Sequence, residues 1–404
     1  MRKEAAVNML EGMVAKGFEA VRDGFVEGQR LDGGGAQLCV YRHGEKVVDL
    51  WTGQDKINTR PYNDNTIAVL MSCTKGMLAI MAHMLVERGD LDLNERVAYY
   101  WPEFSANGKG DARVSHILSH TIGLSSFDAE SGIGPRDLLD WKRCTRALAD
   151  MAPLWAPGVA ASYHAVTFGY LVGEVIRRIT GKLPGQFFAD EIAGPLQLDL
   201  WIGLPASEEH RVAPHYSETP RLTPEQAQAA MVQCGVDIET RVARGLIRTI
   251  AETTETIDLI NSREGRAANI PAANGVGTAR SLARLYAAAI GEVDGVRLLN
   301  RETVERARVW QTQYLKAPGD LAKLPAPDPQ RMALGFGLPR ACDPMLGEGS
   351  FGHAGAGGRR GFAHAESGVA VGYVCNNMVW DPASGRPDPR WAPWSNALKA
   401  AIGV

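Results

Sequence analysis

The feature that most restricts the fold of this chain is that its strand-like segments lie near both ends of the sequence. Residues 36–42 and 46–52 are rich in apolar and β-branched positions and are joined by a short turn with a glycine, a pattern typical of a β-hairpin. Residues 361–366 and 369–376 form a second such pair around a serine-glycine turn. Strands at both ends with helices between them predict one sheet assembled from the two termini.

Between the two hairpins the sequence pattern is mostly helical. From about residue 93 to residue 271, helical segments alternate with turn residues. An amphipathic helix is predicted over residues 7–25 and a closing helix over residues 393–402. The sequence therefore predicts an α+β fold, with an antiparallel sheet built from both chain termini and flanked by helices, and with an inserted α-rich domain. We expect an α/β domain whose N-terminal part is residues 1–95 and whose C-terminal part is residues 272–404, and an inserted domain of residues 96–271.

Composition excludes several classes of protein. The chain has 404 residues, of which 45% are hydrophobic and 22% charged, as in globular proteins. Its 43 Lys and Arg nearly balance its 46 Asp and Glu, and no polybasic run occurs, so we expect neither nucleic acid nor a membrane as a partner. The six cysteines are scattered without zinc-site spacing, which predicts free thiols and no metal. No signal-peptide core or membrane-spanning apolar run is found, so a cytoplasmic location is expected.

The sharpest local motif is an S-x-x-K formed by Ser72 and Lys75 at the start of a predicted helix. Residues three apart share one face of a helix, so the lysine amine can reach the serine hydroxyl. A lysine can help to deprotonate a serine only if its pKa is lowered, and the apolar segments 67–71 and 77–80 would desolvate it. The motif alone is weak, because about one match is expected by chance in a chain of this size. A serine that caps the helix beside a solvated lysine is the alternative interpretation.

Three further segments accompany this motif in a fixed order along the chain. Residues 117–124 read ILSHTIGL, residues 161–165 read ASYHA, and residues 351–358 read FGHAGAGG. With the S-x-x-K motif, they make the chain resemble the penicillin-recognising serine hydrolases, which include class C β-lactamases, D-alanyl-D-alanine carboxypeptidases and family VIII carboxylesterases. S-x-x-K is the nucleophile motif of that group. The resemblance covers most of the chain and implies a β-lactamase/transpeptidase-like fold.

The resemblance implies a catalytic role for four residues. Ser72 would be the acylated nucleophile and Lys75 its helper base. Tyr163 would be the second catalytic group and would share proton movement with the lysine. The backbone N–H groups of Ser72 and Ala356 would form the oxyanion hole, which meets the charge of the tetrahedral transition state. A tyrosine that only packs before a helix is the alternative for Tyr163.

Two positions depart from the β-lactamase pattern. Ala165 stands where those enzymes have an asparagine, and His353 stands where they usually have a lysine, so a permanent charge is replaced by a group that titrates near neutrality. The resemblance places His353 and Gly355 on an edge strand that binds the substrate, and both departures look more like the esterase branch. A purely structural histidine is the alternative for His353, and His120 is expected to be structural.

We therefore predict a serine hydrolase that forms an acyl-enzyme, namely a carboxylesterase on short-chain or small apolar esters, with no cofactor and a small-molecule ester as its partner. No G-x-S-x-G elbow is found, which argues against an α/β-hydrolase site. Three alternatives stay open: β-lactamase or D-amino-acid peptidase action, acyl transfer, and a catalytically silent member that binds a ligand or forms a scaffold. The sequence leaves a homo-oligomer open.

Overall fold

The computed structural model describes residues 10–218, 221–325, 330–381 and 384–404. The strands in these ranges are β1 (Glu11–Val14), β2 (Ala36–Arg42), β3 (Glu45–Thr52), β4 (Gln54–Asp55), β5 (Arg60–Pro61), β6 (Ala68–Val69), β7 (Leu200–Ile202), β8 (Gly275–Gly277), β9 (Ser350–Gly355), β10 (Arg359–His364) and β11 (Val369–Cys375). The main sheet has six antiparallel strands in the spatial order β1-β3-β2-β11-β10-β9. Three of its strands come from each end of the chain, as the sequence predicts.

Most of the helices lie between the two sets of strands. The α-helices are α1 (Glu19–Gln29), α2 (Cys73–Glu87), α3 (Val97–Tyr100), α4 (Val114–Leu118), α5 (Trp141–Asp150), α6 (Thr167–Thr180), α7 (Pro184–Phe188), α8 (Gly194–Leu196), α9 (Pro224–Gln233), α10 (Arg241–Asn261), α11 (Arg263–Ala267), α12 (Ala279–Ile290), α13 (Arg301–Ala307) and α14 (Trp391–Ile402). Shorter 3₁₀ turns and one π-turn are Pro102–Ser105, Ala129–Ser131, Pro135–Leu139, Ala189–Ala193, Ala206–Arg211 and Gly319–Lys323. The antiparallel sheet flanked by helices confirms the predicted fold class.

The main sheet separates two hydrophobic cores, because successive side chains of a strand point to opposite faces. On β2, Leu38 and Val40 join the core formed with α1 and α14. Cys39 and Tyr41 join the larger core, which contains α2 and α12. The two termini therefore cover one face of the sheet, and the helices that follow β6 and β8 cover the other.

The predicted helix over residues 7–25 is wrong in its first half. Residues 7–9 lie outside the described ranges, residues 11–14 form the edge strand β1, and the helix begins only at Glu19. Gly17 lies between them with φ +93°, a conformation that glycine adopts without strain. The apolar positions that suggested one helix are shared between a strand and a helix. The predicted closing helix is confirmed and begins at Trp391.

Helix α2 crosses the interior, and every residue from Cys73 to Leu85 is buried. A helix that is apolar all round is buried on all sides. Its start is fixed from two directions: the Leu70 N–H donates to the Gly275 carbonyl of β8 at 2.7 Å, and the Cys73 thiol donates to the His353 carbonyl of β9 at 3.3 Å. The first turn of α2 thus lies between a small sheet and the edge strand of the main sheet. Within the described part of the chain, no helix combines the length and apolar character that a membrane crossing requires.

Candidate active site

Ser72 lies at the N-terminal end of α2, where the chain makes a strained turn. The preceding residue, Met71, has φ +50°, which is rare for a residue with a side chain. Thr74 holds this turn, because its hydroxyl donates to the Met71 carbonyl at 2.6 Å and accepts the Gly275 N–H at 2.9 Å. Ser72 itself is partly exposed, whereas the helix behind it is buried. The strained residue Met71 therefore lies directly before Ser72, whose hydroxyl the chain presents at a helix N-terminus.

The Lys75 amine lies below this hydroxyl and is fully buried. Its Nζ is 3.1 Å from Ser72 Oγ, 2.7 Å from the Ala165 carbonyl and 3.0 Å from the Ala272 carbonyl. No carboxylate in the described ranges forms an ion pair with it. Burial lowers the pKa of Lys75 to about 7.

These three contacts decide what the Lys75 amine can do. Carbonyl oxygens only accept hydrogen bonds, so the carbonyls of Ala165 and Ala272 take up two N–H groups in either protonation state. In the neutral amine, the lone pair of the nitrogen occupies the third of these three directions, and it faces Ser72 Oγ. The geometry therefore suits a base that removes the serine proton.

Tyr163 completes the group around the serine. Its ring centroid lies 4.8 Å from Lys75 Nζ, and its phenol hydrogen-bonds the Ser72 side chain. Burial raises the pKa of Tyr163 above its ordinary value, although the serine contact opposes this shift. Near neutral pH the tyrosine is consequently a protonated phenol, able to donate a proton rather than accept one.

Two histidines fix the segment that carries Tyr163. The His120 ring stacks on Phe168 and lies against the tyrosine ring, each with centroids 4.8 Å apart. His120 Nδ1 accepts the His164 N–H at 3.0 Å, and His164 Nε2 accepts the Leu124 N–H at 3.2 Å. Burial lowers the pKa of both imidazoles, so they remain neutral supports.

His353 and Gly355 lie on β9, at the edge of the main sheet facing Ser72. The His353 ring centroid is 6.4 Å from that of Tyr163. Burial, and then the charge of Lys75, lower the pKa of His353 to about 3, so the imidazole is uncharged near neutral pH. A Cβ on Gly355 would lie 2.3 Å from the Leu70 carbonyl, so only glycine permits this close approach of β9 to the nucleophile turn.

Three side chains donate hydrogen bonds to main-chain carbonyls of the loop that follows β9. The Ala356 carbonyl accepts from Arg359 Nη1 at 2.7 Å. The next two carbonyls accept from Arg390 Nη2 at 2.6 Å and from Trp391 Nε1 at 2.9 Å. Arg390 is fully buried and forms ion pairs with Asp32 and Asp388. These bonds fix the peptide units around Ala356, the residue expected to donate its N–H to an oxyanion.

The structure thus brings Ser72, Lys75, Tyr163 and His353 together. Sequence reasoning missed the two carbonyls that bind the lysine amine, because a main-chain carbonyl has no sequence signature. It also missed Arg390, which acts through a carbonyl and lies far along the chain. Within the ranges that the structure describes, no group of three or more His, Cys, Asp or Glu side chains could hold a metal ion.

Comparison with known proteins points to the same class of protein as the geometry of the site, a serine hydrolase. The Beta-lactamase family model matches residues 23–392. The esterase/beta-lactamase LipL of Mycobacterium tuberculosis is 35% identical over 351 residues, which are 86% of this chain and 78% of LipL. The crystal structure of a family VIII carboxylesterase is similar with a TM-score of 0.79 and 33% identity, over 97% of this chain and 99% of that one. A penicillin-binding protein homologue from Caulobacter crescentus has a TM-score of 0.77 and 31% identity, over 97% and 99% of the two chains.

The fold is therefore that of the β-lactamases and transpeptidases, which confirms the predicted architecture. The chain belongs to the beta-lactamase family and is a serine hydrolase related to esterases and β-lactamases. The resemblance stated from the four motifs is confirmed.

Proposed function

We propose that this chain is a carboxylesterase that hydrolyses short-chain or small apolar esters through an acyl-enzyme on Ser72. The observation that carries the proposal is the buried Lys75 amine, whose free direction faces the serine oxygen at 3.1 Å. Near neutral pH a substantial fraction of this amine is unprotonated, because its pKa is lowered to about 7. The site would lie between an α/β domain of residues 1–95 and 272–404 and an inserted domain of residues 96–271.

In the acylation step, Ser72 Oγ attacks the ester carbonyl carbon and its proton passes to Lys75 Nζ. The carbonyl oxygen becomes an oxyanion, which the N–H groups of Ser72 and Ala356 stabilise. The bond to the alcohol oxygen then breaks, and the alcohol leaves with a proton delivered through Tyr163 and replaced from the lysine ammonium. Deacylation repeats these steps with water as the attacking group and Ser72 Oγ as the leaving group.

Two side chains favour esters over β-lactams as the principal substrates. His353 stays neutral, so it supplies no positive charge for the carboxylate of a β-lactam. Ala165 supplies a methyl group instead of a side-chain amide. β-Lactam hydrolysis is the second candidate function, favoured by the similarity to LipL, whose name gives both activities.

The proposal is tested with purified protein, p-nitrophenyl butyrate and nitrocefin. Wild type should hydrolyse the ester with the higher kcat/KM, and Ser72→Ala should lower ester turnover by about a thousandfold or more. Ser105→Ala, at an exposed serine, is the matched control and should retain full activity. A fluorophosphonate probe should add one adduct, at Ser72, by intact mass and peptide mapping. Wild-type activity in Ser72→Ala would overturn the mechanism, and faster nitrocefin turnover would reverse the order of the two candidates.

A further inference from the structure

Arg359 is the first residue of β10 and lies directly behind the loop that contains Ala356. Its side chain is fully buried, and Nη1 donates to the Ala356 carbonyl at 2.7 Å. The loop passes so close to this guanidinium that a Cβ at Gly357 would clash with Nη1. A guanidinium keeps its proton in proteins. A permanent positive charge therefore lies behind the residue that is expected to donate its N–H to the oxyanion.

The charge of Arg359 has no carboxylate partner. Within the described part of the chain it forms no ion pair, and its Nε and Nη2 have no hydrogen-bond acceptor. The neighbouring arginines Arg360 and Arg390 are also buried, but each forms an ion pair with at least one aspartate. A buried charge without a partner lowers the stability of a protein. Arg359 is consequently available to a negative charge that forms during the reaction.

The charge of Arg359 reaches the nucleophile turn. Burial raises the pKa of Cys73, the residue after Ser72, and the charge of Arg359 opposes this shift more strongly than any other group does. The N–H and the carbonyl of Ala356 are separated by only three main-chain bonds. Arg359 Nη1 therefore lies within about 10 Å of an oxyanion bound by that N–H.

We propose that Arg359 is a positioning residue for this reaction, and that its uncompensated charge behind Ala356 stabilises the oxyanion formed at Ser72. The inference rests on the proposed function of Ser72. Arg359 does not touch the substrate. It adds a positive charge to an oxyanion site that otherwise consists of two main-chain N–H groups.

This role predicts that loss of the charge lowers kcat and leaves KM unchanged. The oxyanion forms in acylation and again in deacylation, so the charge accelerates both steps by a similar factor and preserves their ratio, on which KM depends. The ester itself is neutral, so its binding gains little from the charge. At about 10 Å and an effective dielectric constant of about 20, one charge changes a rate by about tenfold or more.

Two neutral substitutions separate the charge of Arg359 from its hydrogen bond. Arg359→Met removes both, whereas Arg359→Gln keeps an N–H donor for the Ala356 carbonyl and removes only the charge. On p-nitrophenyl butyrate, both variants should lower kcat about tenfold and change KM by less than about twofold. Wild-type kcat in Arg359→Gln would assign any loss in Arg359→Met to the hydrogen bond and would overturn the inference.

Arg359→Lys should restore the charge only while its ammonium stays protonated. Burial lowers the pKa of a lysine, as it does for Lys75, whereas a guanidinium keeps its proton. The ratio of wild-type kcat to that of Arg359→Lys should therefore be near one at about pH 6 and approach tenfold at about pH 9. The same ratio for Arg359→Met should not depend on pH, because the titration of Lys75 is common to all these enzymes and cancels. Equal ratios for the two variants at both pH values would overturn the inference.

Stability provides a second readout. Arg359→Met removes a buried charge that has no partner, so its midpoint in urea should equal or exceed that of wild type. The matched control is Arg360→Met, because Arg360 is the adjacent buried arginine but is paired with Asp343. The control should lower the midpoint and keep kcat within about twofold of wild type. A lower midpoint in Arg359→Met, together with its lower kcat, would indicate a structural role and contradict the proposal.

The failure of this inference is distinct from that of the proposed function. If wild type hydrolysed no ester, or if Ser72→Ala kept full activity, the proposed function itself would fail. An active wild type whose kcat is unchanged in Arg359→Met would overturn only the role of Arg359.

Discussion

Lys75 Nζ donates to the main-chain carbonyl of Ala165 rather than to any side chain at that position, over 2.7 Å. A main-chain contact survives exchange of the side chain. Ala165 can therefore lack the amide found in β-lactamases and still help to hold the amine against Ser72. The main-chain carbonyl of Ala165 therefore holds the proposed base whatever side chain this position carries.

Replacement of Lys75 by methionine should abolish most of the activity. The serine would lose its proton acceptor, and loss of a general base typically lowers the rate by about 10²–10⁴-fold. The matched control is Lys109→Met, because Lys109 is equally buried and donates to the carbonyls of Ala106, Ala149 and Met151, with no serine partner. Steady-state kinetics on p-nitrophenyl butyrate should show a large fall in kcat for the first variant and almost none for folded Lys109→Met. Equal losses in both would mean that the effect is structural.

The pH dependence of the reaction should report the Lys75 amine. Only the neutral amine can accept the serine proton, and its pKa is lowered to about 7 by burial. For the free enzyme, kcat/KM should rise about tenfold per pH unit below pH 7 and reach a plateau above it. His353 should not contribute, because its pKa is lowered to about 3. A kcat/KM profile that stays level from pH 5 to pH 9 would contradict the assignment, whereas Lys109→Met should reproduce the wild-type profile.

Introduction of a positive charge on β9 should shift the preference toward β-lactams. In His353→Lys, an ammonium would attract the nitrocefin carboxylate, and at short range in a buried site this attraction is worth several kcal/mol before desolvation. We expect the ratio of kcat/KM for nitrocefin to that for p-nitrophenyl butyrate to rise about tenfold. His353→Gln, which stays neutral, should leave the ratio near the wild-type value. If the glutamine variant shifted the ratio as strongly, charge would not be the reason.

Removal of Arg390 should destabilise the protein strongly. Arg390→Met would leave the carboxylates of Asp32 and Asp388 buried without their cation, a change that typically costs about 3–5 kcal/mol. Arg136→Met breaks an ion pair with Glu264 in which both side chains are more than 60% exposed, and should cost less than about 1 kcal/mol. Urea unfolding of both variants measures the difference. Similar midpoints for the two variants would show that the buried network contributes little.

Sequence reasoning reached the features that depend on local geometry. The Ser72–Lys75 contact follows from three-residue spacing on a helix, and the hairpins follow from apolar runs around glycine turns. The apolar segments on either side of Lys75 predicted that its amine would be desolvated and its pKa lowered. The structure shows this amine fully buried, and burial lowers its pKa. The prediction of a single helix over residues 7–25 was wrong, because the apolar residues that suggested it are divided between strand β1 and helix α1.

Other features of the site depend on segments that meet only in the folded chain. The Ala272 carbonyl reaches Lys75 because the chain before β8 passes beside α2, and no residue type at position 272 signals this. The neutral state of His353 depends on its burial against Tyr163 and not on its identity. The structure also contains a cavity lined by Ala165 and by Glu252 and Thr256 of α10. The sequence could not reveal it, because these segments meet only in the folded chain.

The Cys73 thiol and the His353 carbonyl are hydrogen-bonded although 280 positions separate them along the chain. During synthesis a ribosome delivers the nucleophile early and the strand that faces it only near the end. Until then Ser72 has neither the loop that contains Ala356 nor the strand β9 beside it. In the proposed mechanism, a chain that ends before β9 therefore lacks the N–H of Ala356 and cannot stabilise the oxyanion formed at Ser72.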